Sequence, residues 1–147
     1  METILANAEQ ILDYGVIGVL LLMSVITFAL LFERLYFYAK LKIEHFRNRD
    51  ALEMKLTDNL NILSAIGANA PYIGLLGTVL GIMLTFYTLG DAGSVDAKKI
   101  MTSLALALKA TAMGLIVAIP AIVSYTFLLR KVEKMLTHYD IANENRE

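Results

Sequence analysis

The sequence contains no cysteine, only two histidines and two prolines, and no lysine or arginine before residue 34. Without cysteine there is no disulfide, no thiolate metal site and no cysteine nucleophile. His45 and His138 both lie in polar stretches and share no metal-ligand spacing with any other residue, so no metal site is expected. The formal net charge is −1. No basic face stands apart from the flanks of the apolar runs, which removes nucleic acid from the partners. A nucleophile, a base and an orienting group converge nowhere, so the chain is expected to have no catalytic residue, no cofactor and no enzyme activity.

What is present is apolar. Hydrophobic residues make up 57% of the 147, with a mean hydropathy of +0.60, too apolar for an ordinary soluble domain of this size. A first run over residues 14–32 is interrupted only by Ser24, Thr27 and glycines. That meets the roughly 20 residues needed to cross the hydrocarbon. Two long apolar segments of matching length, 60–90 and 100–130, follow, joined by the polar loop 91–99. The pattern predicts an all-α integral membrane protein of one domain, residues 1–147. Its spans fall at about 14–34, 68–90 and 100–129, with a cytoplasmic helical loop at about 38–66 and a cytoplasmic tail over 130–147. A 30-residue helix is about 45 Å long against a hydrocarbon core of about 30 Å, so the second and third helices must tilt or extend into the cytoplasm.

Lysine and arginine set the expected orientation: six lie between Arg34 and Lys55, two in the 91–99 loop and four from Arg130 onward. By the positive-inside rule the N-terminus and the 91–99 loop face outward, and residues 34–60 and the C-terminus face the cytoplasm. Glu2, Glu9 and Asp13 stand where a cleavable signal peptide carries positive charge, so the first run is expected to stay as an anchor. Leu52, Leu56, Leu60 and Leu63 recur about once per turn. They predict an amphipathic helix over 44–63 that leads directly into the second span.

Folding residues 60–90 and 100–130 back about residue 95 puts position i beside position 190 − i, which brings Thr78 level with Thr111 and Pro71 level with Pro120. On a helical wheel Gly67, Ala70, Gly74, Gly77, Thr78, Gly81, Thr85 and Thr88 share one side of the second span. Ala107, Ala110, Thr111, Gly114, Ala118 and Ala121 share one side of the third. Small residues let membrane helices approach closely, and that packing alone accounts for the stripes. Threonines in such helices usually bond back to the preceding turn and need no function. Their common depth admits a second reading, in which rings of hydroxyls around an oligomer axis line a narrow polar passage.

An ion path through lipid normally needs a carboxylate. The span interiors hold none, since Asp13 and Glu33 bracket the first span and Asp91 and Asp96 lie in the loop. Either the chain moves no ions or a second protein brings the acid. Lys109 is the single ionisable residue well inside a span, and its phase is 200° from Thr111. It either snorkels or pairs with a neighbour's carbonyl or carboxylate, or it takes part in ion passage or holds a partner's acid. Glu33 and Arg34 read as an interfacial pair that fixes helix depth, or as a contact between subunits.

Three motifs carry a resemblance. Ala-Pro-Tyr-Ile-Gly-Leu-Leu-Gly-Thr-Val-Leu-Gly-Ile-Met over residues 70–83 resembles the second-span motif of the ExbB/TolQ/MotA proton-channel family. Leu-Lys-Ala-Thr-Ala-Met-Gly-Leu over 108–115, followed by Ala-Ile-Pro-Ala over 118–121, resembles its third-span motif. Phe-Glu-Arg-Leu over 32–35 resembles the end of its first span. The resemblance implies a homo-pentameric ring in the bacterial inner membrane. The ring would surround the single spans of an ExbD/TolR-like dimer, whose aspartate takes up the proton and whose motion reaches a TonB- or TolA-like protein. It also implies that Thr78 and Thr111 line the proton path; the stripes and the matched prolines themselves assign Gly74, Gly77, Gly81, Gly114, Pro71 and Pro120 to helix packing. Many members carry a glutamate five residues before the third-span threonine; here that position is Leu106. A TolQ-like subunit serving envelope integrity, a passive membrane scaffold and a small-molecule transporter stay open as alternatives.

Overall fold

The computed structural model describes residues 2–91 and 97–145. Helix α1 covers Glu2–Lys40, a 3-10 turn Ile43–His45 follows, and then come α2 (Arg49–Thr57), α3 (Leu60–Asp91) and α4 (Ala97–Glu144). Three helices are long and apolar enough to cross a membrane, over Gln10–Lys40, Leu60–Gly90 and Ile100–Glu144. Residues 92–96, the middle of the loop expected between 91 and 99, lie outside the described residues, as do Arg146 and Glu147 of the tail. No helix breaker precedes Asp13 or follows Glu33, so α1 runs from Glu2 to Lys40 and extends beyond the apolar run at both ends, with the two carboxylates at the borders of that run.

The hairpin of α3 and α4 forms because long aliphatic runs continue through Pro71 and Pro120 without a break. A membrane helix tolerates an internal proline when neighbours re-satisfy the freed carbonyl. The backbones meet at Gly74 and Gly114. A Cβ built on Gly74 would lie 2.6 Å from the Ala110 carbonyl oxygen, and one on Gly114 would lie 2.6 Å from that of Ala70. Gly67 meets Ile122 and Gly81 meets Ala107. These pairings shift the helices by one or two residues from the expected register. Thr78 still reaches Thr111, while Pro120 sits past the level of Pro71 by part of a turn.

Helix α1 closes one side of the hairpin through a cluster of Leu20, Ile66, Ala70, Val117, Ala118 and Ala121. A second cluster holds Tyr38, the leucines 52, 56, 60 and 63, and Leu128, Val132, Leu136 and Tyr139 of α4. The single helix expected over 44–63 is instead two. Helix α2 opens with the Asn48 side chain accepting the Asp50 amide at 3.0 Å, and the chain turns at Asp58 and Asn59, where Asn59 takes φ 61°. Asparagine is among the few non-glycine residues that accept this left-handed conformation. The leucine stripe survives the turn because Leu52 and Leu56 before it and Leu60 and Leu63 after it are all buried in the same cluster.

Candidate functional site

Thr78 sits where α3 and α4 pass closest, between Gly74, Gly77 and Gly81 on its own helix and Ala107, Ala110 and Gly114 across from it. The small side chains leave its hydroxyl in reach of the opposite backbone. Its Oγ1 lies 2.6 Å from Thr111 Oγ1, 2.9 Å from the Ala107 carbonyl oxygen and 3.3 Å from the Gly74 carbonyl oxygen. Thr78 is 6% exposed, whereas Thr111 is half-buried.

One hydroxyl carries one proton, so these contacts cannot all be donated by Thr78 at once. When Thr78 donates to a carbonyl, Thr111 must donate to Thr78. When Thr78 donates to Thr111, the Thr111 proton is free to point out of the pair. The two arrangements have opposite polarity and differ only by hydroxyl rotation. Such a pair can hold a water or a neighbouring polar group without ionising near neutral pH. Among the described residues, no carboxylate hydrogen-bonds to either hydroxyl.

Lys109 is exposed on α4, on the side opposite Thr111, while Leu106, also exposed, lines a cavity together with Gly77 and Gly81 of α3. The hydroxyl stripe continues along α3 with Thr85, which is buried and donates to the Gly81 carbonyl, and Thr88, which donates to that of Thr85. Pro71 and Pro120 are half-buried.

Glu33 and Arg34 are brought together by a 2.7 Å ion pair, but the two differ in setting. Glu33 is about half exposed, while Arg34 is 5% exposed. Arg34 donates from Nη1 to the Lys55 carbonyl at 3.3 Å and stacks its guanidinium 5.1 Å from the Phe37 ring centre. Tyr38, one turn on, donates to the Leu56 carbonyl at 2.6 Å. The last carbonyls of a helix have no partner within it, and here α1 supplies two side-chain donors to the end of α2. The positive charge of Arg34 also complements that end of the helix dipole. The tail of α4 is tied in similarly, by Tyr139 donating to the Phe46 carbonyl at 3.1 Å and by an ion pair between Arg49 and Asp140 at 3.2 Å. The hydrogen bond and charge of Asp140 raise the pKa of Arg49 above its ordinary value. The sequence signals Arg34 by its place, with Glu33, at the end of an apolar run. It carries no mark that the carbonyls of Lys55 and Leu56 are the acceptors, because those are backbone groups 18 to 21 residues away.

A three-span helical membrane protein with a hydroxyl pair at its tightest helix contact defines a narrow class. Its residues 32–141 match the model of the MotA/TolQ/ExbB proton channel family. The chain belongs to that family. It is 56% identical over 133 residues to the ExbB-like 2 protein of Helicobacter pylori, covering 90% of this chain and 89% of the relative. It is 50% identical over 132 residues to the biopolymer transport protein ExbB of Aquifex aeolicus, with the same coverage of 90% and 89%. The Tol-Pal system protein TolQ of Pseudomonas aeruginosa is 38% identical over 93 residues, which is 63% of this chain and 40% of that protein.

Proposed function

We propose that this chain is the ring-forming subunit of an inner-membrane motor driven by the proton-motive force, of the ExbB–ExbD type, which energises TonB-dependent transport across the outer membrane. In this reading five copies surround the single spans of an ExbD/TolR-like dimer, the N-terminus faces the periplasm and the C-terminus the cytoplasm. The observation that carries it is the Thr78–Thr111 pair. It offers two reorientable hydroxyls and no acid of its own, which suits a path whose proton-binding carboxylate belongs to a second protein.

The exposed faces support the same arrangement. Helix α1 shows Val19, Leu21, Leu22, Val25, Phe28 and Phe32, side chains suited to lipid. Over its first turns α3 exposes Asn61 and Ser64, which suit the cytoplasmic water expected up to about residue 66, and then Asn69 near the start of the second span, whose amide suits a partner or a watery lumen. Lys109 stands on the exposed face of α4, where an acid of a partner or of another subunit is a fitting neighbour. The TolQ relative favours a second reading with the same mechanism, in which the partners are TolR- and TolA-like and the work serves the cell envelope.

The test is substitution of Thr78→Val and Thr111→Val in cells, which keeps volume and removes the hydroxyls. Proton-driven uptake is expected to fall by at least tenfold while the variants still assemble with the partner. Normal uptake in both variants would leave the chain as a scaffold whose threonines only pack.

A further inference from the structure

Near the start of the first apolar helix, α1 stands off from the α3–α4 hairpin and leaves a cavity of about 290 Å³. Asp13 and Gln10 of α1 and Ser103 of α4 line it, along with Gly81 of α3 and Ala107 of α4. Asp13 is half-buried and has no ion-pair or hydrogen-bond partner among the described residues. Among the described residues no second charged side chain lines the space, and those of α3 contribute no polar one.

A carboxylate in an apolar helix is costly to keep charged unless it is solvated. Among the described residues no protein group solvates it, which leaves that role to water, and the cavity has room for on the order of ten molecules with Asp13, Gln10 and Ser103 as anchors. The same cavity touches the threonine pair through one residue. Ala107 forms part of its wall, and the Ala107 carbonyl accepts the Thr78 hydroxyl at 2.9 Å.

We propose that this cavity is a hydrated vestibule for hydronium, with Asp13 as its proton acceptor, feeding the Thr78–Thr111 layer from the side of the hairpin's loop. Hydronium passes a proton to the Asp13 carboxylate and leaves as water. The resulting carboxylic acid returns the proton to a water on the Thr78 side, which regenerates both the carboxylate and hydronium. The proposal rests on the motor reading, and it adds an acid that belongs to this chain rather than to its partner.

Because the chain has no cysteine, Ser103→Cys gives one thiol on the cavity wall. The full-length variant, in native membranes with its partner, is treated from outside with small membrane-impermeant methanethiosulfonates, one cationic and one anionic. Labelling by both is expected, with the cationic reagent faster by about tenfold, as a carboxylate lining the same water-filled space would cause. Asp13→Asn in the same background should abolish that preference and, with Ser103 intact, lower proton flux several-fold, while Asp13→Glu restores flux. No labelling at Ser103→Cys while the exposed neighbour Thr102→Cys reacts would show a dry cavity and overturn the proposal. So would a charge preference that persists in Asp13→Asn, or unchanged flux in that variant. The labelling requires neither threonine hydroxyl, so failure of the motor reading in the valine variants and failure of the vestibule are read separately.

Discussion

At the scale of single residues, the difference between Thr78 and Lys109 is one of direction. The Thr78 hydroxyl is buried against α4, whereas Lys109 is exposed on the outer face of that helix. Lys109→Met is therefore expected to lower proton flux less than Thr78→Val does, measured as acidification of vesicles containing the ring and its partner. A loss equal to that of Thr78→Val would place the lysine on the path. Thr78→Val itself should cost only about 1 kcal/mol of stability, because the Ala107 and Gly74 carbonyls keep their helical partners when the hydroxyl leaves. A collapse of folding in that variant would mean that packing, not proton passage, is what the hydroxyl supplies. Both threonines were legible in the sequence from their positions in matching small-residue stripes. Asp13 was not legible as part of a site. Its neighbours in sequence suit the border of a span, and only the packing of α1 against the hairpin puts it beside Ser103 and Ala107.

At the scale of the helices, glycine separates contact from open space. Gly74→Ala and Gly114→Ala each push a methyl group against a backbone carbonyl at 2.6 Å, and backbone cannot step aside as a side-chain tip can. Overpacking of this kind typically costs about 1–3 kcal/mol, so both variants should melt at a lower temperature in detergent. Gly15→Ala and Gly18→Ala meet nothing within 4 Å and should leave the melt unchanged or slightly raised, since alanine is the better helix former. Equal losses at all four positions would contradict the close approach of α3 and α4. The clasp between α1 and α2 is tested by Tyr38→Phe, which removes the donor to the Leu56 carbonyl and should cost about 1 kcal/mol. Its expected signature is faster amide hydrogen exchange confined to α2, and uniform exchange across the chain would count against a local cap. Periodicity located the helices because apolar spacing is a local property. It missed the turn at Asp58 and Asn59, where the leucine stripe keeps its phase across a break in the helix that only Asn59 signals.

At the scale of the whole molecule, the single chain leaves much of its apolar surface uncovered. Large side chains are exposed on all three long helices, among them Leu22 and Phe28 on α1, Leu76 and Phe86 on α3, and Ile116 and Val123 on α4. Lipid can cover these, but it does not suit the exposed Asn69 near the start of the second span or the exposed Lys109 of α4. Two kinds of outer surface on one small protein call for two kinds of neighbour, and a closed ring provides both: lipid outside, partner or water inside. The native mass of the detergent-extracted protein decides this. Expressed alone, the chain is expected as a closed oligomer of five copies, and co-expression with an ExbD/TolR-type single-span protein should add the mass of two partner chains without changing the number of ring subunits. A monomer or dimer indifferent to that protein would leave Asn69 and Lys109 without the polar neighbour that a ring provides. The Thr78–Thr111 pair would then be no more than the hydrogen bond that locks two helices together.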